Sequence, residues 1–251
     1  ISSPQVHSME YFDQYYGYIL YRKEVHSDFR GKKVRIKEMH DYAHVFLNGK
    51  KITTLNRADG NEGVVSFKLP RFEGISATLD ILVESHGRVN YGSYLLDRKG
   101  ISQFVSIDNR ATLMNWDVYL IRTSPSFRNN LNFQDSATPS PAFHRGTFTV
   151  KEKCDTFLDM RAWKKGMVWV NGHNLGSYWD IGPQRALYLP GPWLNESGEE
   201  NEIVVLEMEG TQRRWKQLLL YRWKWAESDW KKLLEHKNRP AVKGLNQHLL
   251  G

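Results

Sequence analysis

The alternation of apolar and polar positions along the chain predicts many short strands and little helix. Apolar or aromatic runs of a few residues are separated by Gly, Pro, Asn and Asp, which is the pattern of an all-β protein. The runs lie at residues 16–21, 34–36, 43–47, 52–55, 64–69, 78–84, 101–107, 116–121, 146–150, 156–160, 168–170 and 203–206. We therefore predict an all-β fold made of two antiparallel β-sandwich or jelly-roll domains.

The sharpest local signal is a hairpin at Asn171-Gly172. Val168, Trp169 and Val170 lead directly into this pair, and a type I′ turn needs positive φ at both of its central residues, which Asn and Gly tolerate. Residues 45–49 repeat the pattern, and the quartets at 81–84 and 204–207 follow the two hairpins at the same separation. We interpret this as a duplicated module. Chance recurrence of such short patterns in a β protein is the alternative.

Composition along the chain suggests four segments. Residues 1–122 form the first β-sandwich, and residues 123–145, rich in Ser, Asn, Thr and Pro, form a linker. Residues 146–210 form the core of the second sandwich, and residues 211–251 form a basic, Trp-rich C-terminal segment. That last segment fits a short helix, but a strand through residues 218–221 followed by an irregular end fits equally well.

The formal net charge of +7 raises the question of a nucleic-acid partner. The excess is partly concentrated in residues 211–251, and no recognisable nucleic-acid-binding motif is present, so we expect no such partner. No apolar run approaches the roughly 18 residues that cross a membrane, and a membrane partner is not favoured. Cys154 is the single cysteine, which excludes an internal disulfide. Because the chain does not begin with Met, we expect it to be part of a longer protein.

Candidate chemistry within the chain is sparse. We find no nucleophile elbow, phosphate-binding loop or His/Cys metal spacing, and we expect neither a metal nor another cofactor. Glu199, Glu200 and Glu202 cluster, and the Glu199-Glu200 pair is interpreted as a solvated face, whereas Glu207 and Glu209 are interpreted as ordinary charges at a strand edge. The sequence thus predicts no catalytic residue of its own.

Several motifs in order resemble the C-terminal β domains of family 35 glycoside hydrolases, the β-galactosidases. They are YGYILYR at residues 16–22, the hairpin at 45–49, LVESHGRVNYG at 82–92, DRKGI at 97–101, VNGHNLG at 170–176 and YLPGPWL at 188–194. The resemblance covers roughly residues 10–210. It implies galactose-binding-like, jelly-roll β domains that follow a (β/α)₈ barrel in the full-length enzymes.

The resemblance also implies where the chemistry is performed. The family removes terminal β-linked galactose with retention, using two glutamates on the barrel that are about 5–5.5 Å apart. Nothing in this chain matches that barrel, so the catalytic pair is not expected here, and whether the chain counts as an enzyme stays open. The implied partners are the upstream barrel and a galactoside. The implied location is secreted, periplasmic or lysosomal.

Four residues are candidates for contact with sugar. The resemblance places Tyr91, with Asn90 beside it, on a loop that reaches the galactose pocket of the barrel in the intact enzyme. A phenol offers both an apolar face and a hydroxyl for such a contact. Trp179 and Trp193 are candidates for sugar stacking, which is the basis of an alternative function: an autonomous galactoside-binding module. Simple packing is the other interpretation for Tyr91 and for the aromatic residues of the second half.

Overall fold

A computed structural model describes residues 1–108, 110–133, 139–183, 185–210 and 219–221. In this part of the chain the fold is all-β, with only antiparallel strand pairing. Contacts divide the chain into two units, residues 1–131 and 132–251. The predicted C-terminal helix lies outside the described residues, whereas the alternative strand is observed at Leu219–Tyr221.

The first unit contains twelve of the described strands and four short helical turns. The strands are β1 (Ser2–Ser3), β2 (Tyr18–His26), β3 (Lys33–Lys37), β4 (Met39–His40), β5 (Tyr42–Leu47), β6 (Lys50–Asn56), β7 (Val64–Lys68), β8 (Ser76–Glu84), β9 (Gly100–Ile101), β10 (Val105–Ile107), β11 (Ala111–Thr112) and β12 (Trp116–Ile121). The helical turns are 3₁₀ segments at Met9–Phe12, Ser27–Phe29 and Arg57–Asp59, and helix α1 at Pro125–Asn129. Helix α1 lies inside the segment that the sequence suggests is a linker.

Two sheets of the first unit enclose one core. A six-stranded sheet has the order β1-β12-β2-β8-β5-β6, and a four-stranded sheet has the order β11-β10-β3-β7. Buried residues from both sheets, such as Ile19, Val45 and Ile81 from one and Val34 and Phe67 from the other, form a single hydrophobic cluster. This arrangement is the predicted β-sandwich. A separate short pair, β4 with β9, lies at the base of the loop discussed below.

The second unit is a smaller sandwich. Its strands are β13 (Ala142–Thr149), β14 (Thr156–Asp159), β15 (Lys165–Val170), β16 (His173–Trp179), β17 (Ala186–Leu189), β18 (Glu200–Glu207) and β19 (Leu219–Tyr221), with a 3₁₀ turn at Gly191–Trp193. The sheets have the orders β13-β18-β15-β16 and β17-β14-β19. Val168, Val205, Leu158 and Leu189 bring both sheets into one buried cluster.

Both predicted hairpins are present and closely similar. Asn48 and Gly49 have φ of 49° and 75°, and Asn171 and Gly172 have φ of 47° and 83°, as a type I′ turn requires. In each hairpin the register shifts once, and each first strand also pairs with a third strand, β8 or β18. The repeated arrangement is therefore real, while its origin by duplication stays a prediction.

The single strand predicted at residues 101–107 is wrong. The segment splits into β9 and β10, which belong to different sheets. The amide of Ser102 donates to the carbonyl of Glu38, and Phe104 accepts from the amide of Lys37, so the chain bends between the two strands. Strand β17 was missed because it lies in a stretch punctuated by Pro and Gly. No helix in the described part of the chain has the length and apolar character needed to cross a membrane.

Candidate functional site

The loop of residues 85–99, which joins β8 to β9, presents the candidate residues of the first unit. Its central residues 90–96, here called the loop tip, are all exposed. The tip includes Asn90 and four large apolar side chains with exposed fractions of 88% for Tyr91, 78% for Tyr94, 59% for Leu95 and 79% for Leu96. Tyr91 is therefore not packed against its own sandwich, contrary to the simple packing interpretation.

The base of this loop is built around a buried lysine. Lys99 has no exposed surface, and its Nζ donates to Asp41 Oδ2 at 2.7 Å, to Asp97 Oδ2 at 2.8 Å and to the Gly87 carbonyl at 3.0 Å. Nη1 of Arg57 donates to Oδ1 of Asp41 at 2.7 Å and to Oδ1 of Asp97 at 3.0 Å. We call these five residues the Lys99 cluster.

Backbone groups of residues 85–89, here called the rising arm of the loop, bond to the same carboxylates; residues 97–99 are called the descending arm. The amide of His86 donates to Asp41 Oδ2 at 2.7 Å, and the amide of Val89 donates to Asp97 Oδ2 at 3.1 Å. Arg88 adds a second layer, since its guanidinium donates to the carbonyls of Asp97 and Tyr15, both at 2.8 Å. The loop is thus fixed on both sides of its tip.

The two carboxylates of the Lys99 cluster are held ionised. Burial disfavours the charged form of Asp97, but hydrogen bonds from Lys99 and from the Val89 amide outweigh it and lower the pKa of Asp97 to about 2. At Asp41 burial is likewise outweighed, by hydrogen bonds from Lys99, Arg57 and the His86 amide, and its pKa is lowered. A glycosidase general acid needs the opposite shift, so these groups serve as acceptors and not as a catalytic pair.

The aromatic candidates of the second unit are partly covered. The ammonium of Lys165 lies 4.2 Å from the ring centroid of Trp179, and Lys165 itself is buried. Trp193 is half-buried, and His173 stacks on it with ring centroids 4.5 Å apart. One face of each candidate ring is therefore occupied by the protein. Trp163 and Tyr178 are buried in the hydrophobic core, and Trp169, which is also buried, lies beside the ring of Phe143.

The glutamates of the second unit fall into two groups. Glu199 and Glu200 are exposed, as predicted, and Glu202 is exposed as well. The interpretation of Glu207 as an ordinary edge charge is wrong, because this residue has no exposed surface and its carboxylate accepts five hydrogen bonds. Glu207 is therefore a structural acceptor inside the sandwich.

Comparison with known domain families decides the family of this chain. Residues 7–122 match the family described as "Beta-galactosidase, first all-beta domain", and residues 141–201 match "Beta-galactosidase, galactose-binding domain". Together the two matches cover well over half of the chain. The chain belongs to the β-galactosidase family. Neither description names glycoside hydrolase family 35, so that narrower assignment stays a prediction.

Individual β-galactosidases resemble the chain over most of its length. The relatives include a β-galactosidase of Xanthomonas manihotis, 38% identical over 75% of this chain, and β-galactosidase-1-like protein 2 of Homo sapiens, 39% identical over 77%. A β-galactosidase of Bos taurus is 36% identical over 78% of this chain. The matched regions are 30%, 30% and 32% of the relatives. The chain thus spans about a third of the length of these β-galactosidases.

The four candidate residues belong to different β-galactosidase domains. Asn90 and Tyr91 lie within the match to the first all-beta domain, and Trp179 and Trp193 lie within the match to the galactose-binding domain. Sequence reasoning missed the Lys99 cluster beneath the tip, because its members come from segments far apart in the chain.

Proposed function

We propose that this chain is the non-catalytic β region of a β-galactosidase, that it supports an upstream catalytic barrel, and that its loop contributes Tyr91 and Asn90 to the galactose pocket. The observation that carries the proposal is the exposed tip on an ordered base. Two tyrosines and two leucines face water within residues 90–96, and apolar side chains clustered in this way are typical of a surface made for a partner.

The chemistry of the tip suits a sugar pocket that belongs to another domain. The Tyr91 ring can cover an apolar face of galactose, and its hydroxyl and the Asn90 amide can hydrogen-bond to sugar hydroxyls. The described carboxylates near the loop are bound to Lys99, Arg57 and Arg88. The retaining glutamate pair is accordingly assigned to the barrel. A secreted, periplasmic or lysosomal location belongs to the same proposal.

The direct test is the kinetics of the parent enzyme that carries this chain. Tyr91→Ala should raise KM for a galactoside by about tenfold or more, because a ring contact and a hydrogen bond are lost together. Tyr119→Ala, which removes a half-exposed tyrosine from the outer face of β12, is the matched control and should leave KM unchanged. Equal kinetics for both variants would refute the pocket role of the loop.

A second candidate is an autonomous galactoside-binding module, which the description of the matched galactose-binding domain favours. Calorimetric titration of the isolated chain with galactose, with glucose as control, separates the two functions. Selective saturation that is lost in Trp179→Ala or Trp193→Ala would support the module. No binding at tens of millimolar, where the binding free energy is below about 3 kcal/mol, supports the structural role.

A further inference from the structure

We infer that Lys99 is a positioning residue: its buried ammonium ties both arms of the loop to the first sandwich and so fixes the direction in which the tip projects. The inference rests on the proposed function only for the role of the tip, which is to contact another domain. The order of the loop itself can be measured in this chain alone.

The three bonds of the ammonium join three separate segments. Asp41 lies between β4 and β5 of the sandwich, Gly87 lies on the rising arm of the loop, and Asp97 lies on the descending arm. A lysine ammonium has three N–H donors, and all three are used here. Lys99 therefore contacts the sandwich and both arms of the loop directly.

The bonds of the arms are coupled through this lysine. The amides of His86 and Val89 donate to the same two carboxylate oxygens that accept from Nζ of Lys99. Removing the ammonium leaves two buried carboxylates that share the guanidinium of Arg57, with the His40 ring nitrogen Nδ1 also 3.1 Å from Asp97 Oδ1. Repulsion between these two carboxylates, and their partial hydration, would weaken the hydrogen bonds of both amides at once.

The tip has no comparable anchorage. Among the described contacts, residues 90–95 make no hydrogen bond, ion pair or ring contact, and the carbonyl of Leu96 accepts only from the amide of Arg98. The position of Tyr91 is therefore set by the arms and not by its own surroundings. A merely stabilising lysine would act on the whole sandwich, whereas a positioning lysine acts first on the arms.

Hydrogen exchange on the 251-residue chain separates these two effects. In Lys99→Met the amides of His86 and Val89 should exchange at least about tenfold faster than in the wild type, while amides of β2 and β8 stay protected. Ile81→Val, a mild truncation in the core of the same unit, is the matched control and should leave both loop amides unchanged. Equal protection in the two variants would overturn the inference.

A second variant keeps the test decisive if Lys99→Met does not fold. Asp97→Asn removes the charge of the carboxylate that accepts from the Val89 amide. It leaves Asp41, which accepts from the His86 amide, unchanged. Faster exchange at His86 in this variant supports coupling through the Lys99 cluster. Exchange that changes at Val89 alone would show independent bonds and would refute it.

Kinetics of the parent enzyme then connect loop order to function. Lys99→Met should raise KM, and the double variant with Tyr91→Ala should be no worse than Tyr91→Ala alone, because both changes remove the same contact. Additive effects of the two changes would overturn the positioning role. If Tyr91→Ala has no effect while the Lys99→Met loop exchanges faster, the proposed function fails and the positioning of the tip stands.

Discussion

Glu207→Gln should strongly destabilise the second unit, because this carboxylate is a buried acceptor with no exposed surface. Five donors converge on it: the amides of Lys164 (3.0 Å), Lys165 (3.4 Å), Glu209 (2.8 Å) and Gly210 (3.2 Å), and the hydroxyl of Tyr178 (3.1 Å). Together they connect the start of β15, strand β16 and the end of β18. A neutral amide of the same shape cannot satisfy all five.

The magnitude follows from the division of donors between the two oxygens. Oε1 accepts from three backbone amides and Oε2 from the Lys164 amide and the Tyr178 hydroxyl. In the better orientation of the glutamine, its NH₂ replaces Oε2 and opposes the Lys164 amide, which becomes unsatisfied at a cost of about 1–3 kcal/mol. The other amide bonds lose their charge assistance. We expect a total loss of about 3–5 kcal/mol.

Urea unfolding followed by tryptophan fluorescence and by hydrogen exchange at β15 measures this loss. With an m-value of about 2 kcal/mol/M, the midpoint of the second unit should fall by roughly 2 M. Glu202→Gln, an exposed residue on the same strand, is the control and should shift stability by less than about 0.5 kcal/mol. Similar midpoints for the two variants would refute the buried-acceptor reasoning.

Two further predictions concern packing and pH. Gly166→Ala should prevent the second unit from folding, because a Cβ there would lie 1.7 Å from the Leu206 carbonyl oxygen. Gly49→Ala is the control: its Cβ would lie in open space, and it should cost about 1 kcal/mol through the positive φ alone. Thermal melts distinguish the two variants. The stabilisation from Asp97 should be complete above its unfolded pKa of about 3.9 and disappear as pH falls towards its folded pKa of about 2. As the pH falls below about 4, the stability of the first unit in urea should therefore decrease less steeply in Asp97→Asn than in the wild type. Identical acid profiles for the two proteins would contradict this.

The hairpins could be predicted from sequence because their information is local. Asn48-Gly49 and Asn171-Gly172 each supply the backbone freedom that a type I′ turn demands, and the β-branched and aromatic runs before them define the strands. The strands were found for the same reason, with errors where a short strand such as β17 is bounded by Pro and Gly. Tertiary partners are not needed for any of these features.

Register could not be predicted, and Glu207 shows the consequence. Equal sequence separation aligns Glu84 with Glu207, yet Val45 pairs with Ile81 in the first unit and the equivalent Val168 pairs with Val205 in the second. The pairing register in the second unit is therefore displaced by one residue relative to the first unit. As a result, Glu207 takes the core-facing position that Val83 occupies in the first unit. An apolar quartet has no signal that distinguishes these registers.

The Lys99 cluster gives the same lesson for the site. Resemblance placed Asn90 and Tyr91 on a loop, but nothing local indicates that a lysine beside β9 will be fully buried. Its burial depends on Asp41 and Arg57, which fold against it from other segments. Pairing of charges across long sequence separations is decided by the tertiary fold, so a single sequence contains no direct record of it.

The bonding of the Lys99 cluster indicates that the cluster fixes the orientation of the loop more than it stabilises the fold. A buried ion pair gains little net free energy over apolar packing of similar volume, because desolvation offsets the attraction. Apolar side chains, however, pack without directional bonds and would leave the two arms free to adopt several arrangements. An ammonium with three acceptors and two carboxylates that also bind loop amides permits far fewer. The fold thus fixes the base of a loop whose exposed apolar tip adds nothing to the stability of its own sandwich, which is the expected arrangement for a tip that is completed by another domain.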